Sequence, residues 1–436
     1  MLSLLLTFLG CSASCQSESS EPDVLLIVID TLRADRLGFA GHDRETSPNM
    51  DGLTEDFTWF SRAYATSSWT LPSTASILTG LLPHEHRVVR DGLKTDLFGR
   101  LNPTLVTVAD HYKSKGYRTG AFINNAYLAP DFGLNQGFQT YDYEGAGPIG
   151  HRTGVTTVEK ALAWLEEDPD PAFLMVHIME PHADYEPDPE FRGRFTESQP
   201  SELEMPLGEL VGQLIERRVE ISEEDKDFIR AAYDEEILSA DKAVGLLIDG
   251  YKSQNRYEKA VIAITSDHGE ELWDYGGYEH GHTTLTPVTQ VPLMIKADGV
   301  LPGENATVVS IKDLYPALVG QTGPIIEFAR SEAVDTTQIV LAEDILYGPP
   351  QISVITDDLR LQISPSLNRM ALFELDERGR ETADISNDLE KREQSQPLQA
   401  YLRSVRPGTG AIKAFDPIQV QNFSDFDQLR ALGYVD

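Results

Sequence analysis

The sequence predicts an α/β fold: a mainly parallel sheet held between helices, followed by a small C-terminal α+β subdomain. Three observations carry this expectation. Short apolar, β-rich runs alternate with helical segments up to about residue 335, the pattern of a sheet whose strands are joined by crossover helices. The first run, Val24–Ile29 (VLLIVI), is apolar throughout, as a strand covered on both faces must be. Beyond residue 335 the rhythm changes to closely spaced short strands and a late helix, which reads as a packed appendage rather than a second tethered domain.

The elements follow in order. Residues 121–123, 173–178 (FLMVHI), 260–264 (AVIAI) and 291–295 (VPLMI) are expected to be further strands. Residues 222–251 read as one long helix. Ser222 can cap it with Asp225 three residues on, and Ile229, Tyr233, Ile237, Ala240, Val244 and Leu247 form a single apolar stripe suited to covering a sheet face. Residues 183–221, acidic and Pro-containing, read as a surface excursion. In the last part, residues 338–341, 352–355, 359–363 and 372–375 read as strands and 387–405 as a helix. The expected organisation is therefore a leader at 1–21, a catalytic α/β unit at 22–335 and a subdomain at 336–436.

Composition excludes several classes of function. Of 436 residues, 36 are Lys or Arg and 70 are Asp or Glu, a formal charge of −34, which opposes nucleic acid as a general partner. The only two cysteines, Cys11 and Cys15, lie near the N-terminus. A disulfide framework, a Cys-ligated zinc site and a cysteine nucleophile are thus excluded from the folded body. Residues 4–10 (LLLTFLG) form an apolar run too short to span a bilayer, followed by Cys11 and a polar stretch. The run resembles a bacterial lipoprotein signal. The chain is therefore expected to be exported, to the periplasm or outer cell surface, with Cys11 as a lipid anchor and its only link to a membrane.

In open α/β sheets ligands collect at the carboxyl ends of the strands. Asp30 follows the first strand, Asp267 and His268 follow the AVIAI strand, and His177 and His182 lie at the end of FLMVHI. A fourth cluster, residues 70–80 (TLPSTASILTG), reads as a helix start. Pro72 sits in its first turn and Gly80 at its end, so the Thr70 hydroxyl lies where helix N–H groups favour an anion. Two Asp, one His and this hydroxyl form a candidate site for one divalent metal, with Ca, Mg, Mn and Zn all compatible. Taken singly, a strand-end Asp is also a turn residue, Thr70 an N-cap and His177 a core histidine. The grouping, not any one residue, points to chemistry.

The segments VIDTLRADRLG, SPNMDGL, SSWTLPSTASILTGLLPHEH, GYRTGAFINN, HIMEPHADYEP and TSDHGEELWDYGGYEHGH occur in this order. Together with VPLMI, DLYPAL and the terminal LRALGYVD, they resemble the sulfatase family of the alkaline-phosphatase superfamily across nearly all of residues 23–436. The resemblance implies a metal-dependent ester hydrolase fold. It implies Asp30, Asp267, His268 and Thr70 as metal ligands, Thr70 also as nucleophile, and His182 and His280 as acid–base or leaving-group residues. His177, Asn124 and Thr74 are expected to contact substrate.

Two departures shape the expected reaction. Sulfatases carry Cys or Ser at the nucleophile position and convert it to formylglycine. Thr70 cannot become that aldehyde, because its Cβ bears a methyl group, so no formylglycine is expected. The motif arginine is replaced by Thr74. A threonine nucleophile resembles the phosphate-handling relatives, which places phosphodiester and phosphonate monoester substrates ahead of sulfate esters. Two other readings share these residues: a phospho-group transferase acting on envelope glycans or lipids, and a non-catalytic binder of sulfated or phosphorylated glycans.

Overall fold

The computed structural model describes residues 21–90, 97–143, 152–198, 201–331, 338–406 and 419–420. The leader with Cys11 and Cys15, the LRALGYVD segment and the 335/336 boundary lie outside them.

A nine-stranded sheet forms the centre. Its strands are β1 (Val24–Ile29), β2 (Thr58–Tyr64), β3 (Arg118–Phe122), β4 (Thr140–Asp142), β5 (Ala172–Ile178), β6 (Val261–Ser266), β7 (Gln290–Lys296), β8 (Gly303–Asn305) and β9 (Val309–Ser310). They run in the order β8-β2-β7-β6-β1-β5-β3-β4, with β9 beside β2. β1 pairs parallel with β5 and β6, and β3 parallel with β5. The expected VPLMI strand, β7, is antiparallel to both β6 and β2. Sequence reading passed over β2, because TWFSRAY mixes polar residues into its apolar run.

The alternating direction of strand side chains divides the core in two. Val24, Leu26 and Val28 of β1 pack on one face with Leu71, Ala75 and Leu78 of α1 (Thr70–Thr79). Leu25, Ile27 and Ile29 pack on the other face with α3 (Glu223–Ser253), beside α2 (Gly154–Glu166). Every member of the expected α3 stripe is in that second cluster. Ser222 caps α3, accepting from the Asp225 N–H at 3.1 Å.

The opposite side of α3 is unusual. Its carboxylates turn inward and accept backbone amides from a neighbouring loop and from the first turn of the Pro48–Leu53 helix. Glu235 accepts from Phe195 and Thr196, each at 2.7 Å. Asp241 accepts from Asn49 and Met50 at 2.9 and 2.8 Å. Glu236 accepts from Glu186. The 183–221 excursion is thus tied down by buried acids, which serve its loop N–H groups as a capping residue serves a helix end.

The C-terminal subdomain is an antiparallel sheet of β10 (Val340–Glu343), β11 (Ile352–Ile355), β12 (Leu359–Ser364), β13 (Arg369–Leu375) and β14 (Glu381–Asp384). α4 (Ser395–Val405) covers it through Leu398 and Leu402. The single helix expected over 387–405 is two: a short turn at Leu389–Arg392 precedes α4. Among the described residues no helix is long and apolar enough to cross a membrane.

Candidate active site

The carboxyl ends of β1, β3, β5 and β6 converge on the N-terminus of α1. Asp30 leaves β1 with its N–H bonded to the Ile178 carbonyl of β5 at 2.9 Å. Trp69 precedes α1 in extended conformation, and Gly80 ends the helix in the left-handed region at φ 73°. Thr70, buried, is the first helical residue. Its Oγ1 lies 3.4 Å from His268 Nε2 and 3.5 Å from the donating Asn125 Nδ2.

Asp30, His177 and Asp267 each present one ligand atom within 4.8 Å of the others. His177 Nε2 is 3.6 Å from Asp30, and His268 Nε2 is 3.5 and 3.6 Å from Asp30 and Asp267. Asp30 Oδ1, Asp267 Oδ2 and His177 Nε2 are buried and have no hydrogen-bond partner. Buried acceptors without partners are costly unless a cation joins them. Burial, and then the charge of Asp267, pushes Asp30 well above the usual carboxylate range. Burial also raises Asp267. A divalent ion would relieve both penalties, so the donor set fits one: Asp30, Asp267, His268, His177 and the Thr70 hydroxyl would hold it.

The two histidines are oriented for that task. A carbonyl oxygen only accepts, so His268 Nδ1, 3.0 Å from the Gly269 oxygen, carries the ring proton. Nε2 then turns a lone pair toward Thr70 and the carboxylates. Asn124 donates its amide nitrogen to the Arg152 carbonyl at 3.1 Å, which leaves Oδ1 to accept His177 Nδ1–H at 3.1 Å. Outer partners of this kind fix the tautomer of ligating histidines. Burial, with His182 and His268 nearby, holds His177 down at about 3, so its ring is neutral.

His177, expected against substrate, thus presents Nε2 to Asp30 within the ligand set, and Asn124 stands behind its ring. Thr74, one turn beyond Thr70, has a buried hydroxyl without a hydrogen-bond partner. On the far side, the His280 ring lies 4.4 Å from His268 and 5.1 Å from His182 between centroids. Its Nδ1 is 2.9 Å from Glu270 Oε1.

Two residues escaped sequence reading. Asn125 donates to Asp30 Oδ2 as well as toward Thr70, while its Oδ1 accepts the Tyr127 N–H at 2.7 Å. The doubled Asn of FINN was its only signal. Glu270 is fully buried beside His280, and its signal was the acid run in DHGEE.

A second hydroxyl–imidazole pair, Ser76 and His86 at 3.1 Å, is arranged otherwise. The Val88 N–H donates to His86 Nδ1 at 3.0 Å, so Nε2 carries the proton and Ser76 accepts it.

The family model described as Sulfatase matches residues 22–324. The chain belongs to the sulfatase family. It is an ester hydrolase of that metal-dependent class. Choline-sulfatase of Rhizobium meliloti is 23% identical over 91% of this chain and 88% of its own length. Human arylsulfatase A is 22% identical over 73% of this chain and 68% of its own. The fold is shared with the phosphonate monoester hydrolase of Agrobacterium radiobacter (TM-score 0.73, 18% identity, 89% of this chain and 96% of that one). It is shared also with a 2-O GAG sulfatase (TM-score 0.72, 18% identity, 91% and 95%).

Proposed function

We propose that this sulfatase-family protein cleaves phosphodiester or phosphonate monoester substrates, with sulfate esters as poorer ones, through a covalent ester on Thr70. The observation that carries the reading is the Thr70 hydroxyl. It lies at the N-terminus of α1, within 3.5 Å of His268 Nε2 and Asn125 Nδ2, and cannot become formylglycine. A bound divalent ion supplies the charge that lowers the pKa of a hydroxyl and neutralises a developing oxyanion. His177 and His268 add nitrogen donors to the carboxylates, which favours Mn or Zn over Ca.

The chain's own residues do the rest. Thr70 gives its proton to the neutral His280 as its Oγ1 attacks phosphorus in line and the bond to the leaving oxygen breaks. The α1 N-terminus and Asn125 Nδ2 face the incoming anion. His280, with His182 beside it, returns a proton to the leaving oxygen. Water then cleaves the threonine ester. An exported, Cys11-anchored location in the cell envelope completes the reading.

The test uses nitrophenyl phosphodiester, phosphonate and sulfate substrates with several metals. T70A loses turnover by more than about 10³-fold on all of them, and T70S retains part of it. Mass spectrometry after acid quench finds the phosphoryl or phosphonyl group on the peptide containing Thr70. Full activity in T70A overturns the reading.

A further inference from the structure

We propose that Glu279 receives an ammonium group carried by the leaving alcohol, so that the preferred substrates are esters of amino alcohols. This rests on the Thr70 reaction proposed above and names the substrate class of that site.

The carboxyl is isolated. Glu279 is 2% exposed, and its Oε2 is buried without a hydrogen-bond partner. Among the described residues no donor bonds to the carboxyl and no cation pairs with it. Burial, and then the charge of Asp184, pushes it up to about 8. The backbone of Glu279 stands in the left-handed region at φ 69°, which few residues with a side chain enter. Strain of this kind collects at ligand-binding segments. An apolar side chain of similar size would fill the place without the cost of a buried, partnerless acid.

The surroundings select the occupant. The Glu279 charge bears on Glu270 and on the phenols of Tyr127, Tyr278 and Tyr347, so the carboxyl lies among aromatic rings and further acids. Arg90 also bears on Tyr127 and Tyr347, but it gives Nη1 to the Leu346 carbonyl at 3.0 Å and leaves Glu279 uncompensated. Among the described residues Glu279 is not grouped with two further Asp, Glu or His ligand atoms at metal-binding spacing, which disfavours a metal ion. An ammonium group instead takes the carboxylate as its counter-charge and hydrogen-bond acceptor, and the rings as a cation–π wall.

The position matches the leaving side of the reaction. Glu279 directly precedes His280, which returns the proton to the leaving oxygen. The Gly281 N–H donates to the Ser68 carbonyl at 2.9 Å, and the Tyr347 N–H to the Gly281 carbonyl at 2.7 Å. Residues 279–281 are thus held between the segment that enters Thr70 and Tyr347. A leaving alcohol that passes His280 extends along Glu279 toward the tyrosines.

The test uses methylphosphonate monoesters of 2-aminoethanol and of 2-(trimethylammonio)ethanol, each beside its neutral isostere, the propyl and the 3,3-dimethylbutyl ester. Alcohol release is followed by NMR. In the native protein kcat/KM for at least one ammonium ester exceeds that of its isostere by about 30-fold or more, and in E279Q the ratio falls to within about 3-fold of unity. A native ratio near unity for both pairs, or a ratio that E279Q leaves unchanged, overturns the proposal.

Calorimetry separates this proposal from the reaction on which it rests. T70A is expected to bind the preferred ammonium ester about 30-fold more tightly than its isostere, and T70A/E279Q to bind the two alike. Full turnover by T70A overturns the Thr70 reading alone. Equal binding of both esters by T70A overturns the role of Glu279, whatever the activity.

Discussion

Asn124 Oδ1 meets His177 Nδ1 at 3.1 Å, while the Asn124 amide nitrogen is bound to the Arg152 carbonyl. This pair decides which ring nitrogen His177 offers to the Asp30–Asp267 centre. In N124A the ring is free to turn or change tautomer. Metal affinity is expected to fall about 10- to 100-fold, read by competition against a chelator, with the protein still folded. Unchanged affinity removes His177 from the ligand set.

Gly269 stands between His268 and Glu270, and a Cβ there would lie 2.1 Å from the Pro287 carbonyl oxygen. The backbone must therefore give way in G269A, moving His268 and Glu270 together. Displacement of about 1 Å in such a site costs on the order of 10²-fold in kcat/KM. Kinetics checks this against far-UV circular dichroism, where the variant is expected to match the native protein.

Asp344 accepts a hydrogen bond from Trp69 Nε1 at 3.0 Å, and burial pushes its carboxyl up to about 7 from 3.8. The folded value is the higher one, so the charged form is the costly form. The penalty is absent near pH 4, grows as pH rises and is complete above 7. D344N keeps an acceptor for Trp69 and discards the charge. Its Tm is expected to match the native protein at pH 4 and exceed it by about 2–4 °C at pH 8. Parallel Tm curves across that range contradict the assignment.

Arg360 and Glu381 form a buried pair at 2.8 Å with 0% and 2% side-chain exposure. Arg360 also donates to the Thr284 carbonyl and to Thr286 Oγ1, joining the subdomain to the catalytic unit. R360A leaves Glu381 without that partner, and stability should fall by about 3–5 kcal/mol in denaturant titration. R360M/E381L, which removes both charges, is expected to recover a large part of that loss.

Asp30, Asp267 and His268 were legible because they end apolar strands, where α/β folds place their ligands. Thr70 was legible from Pro72 and Gly80 framing a helix. Asn125 was not, since nothing in FINN says which Asn turns toward Asp30. That choice follows from Asn125 Oδ1 capping the Tyr127 N–H. The place of His177 was likewise hidden, because it depends on a hydrogen bond to a residue 53 positions away. The charge of −34 suggested an acidic surface, yet Glu235 and Asp241 spend theirs inside, on backbone amides that no composition displays.

The segment around Thr70 is completed by the far end of the chain. The Glu343 N–H bonds to the Thr66 carbonyl, Ser67 to the Asp344 carbonyl, Trp69 to the Asp344 carboxyl, and the Tyr347 N–H to the Gly281 carbonyl. The side chains of the candidate site, from Asp30 to His280, are all synthesised before any of these partners leaves the ribosome. A nascent chain released short of residue 340 holds the full reactive set but lacks the bonds that seat it. A chain truncated there is expected to keep these side chains and lose activity, read in the nitrophenyl ester assays.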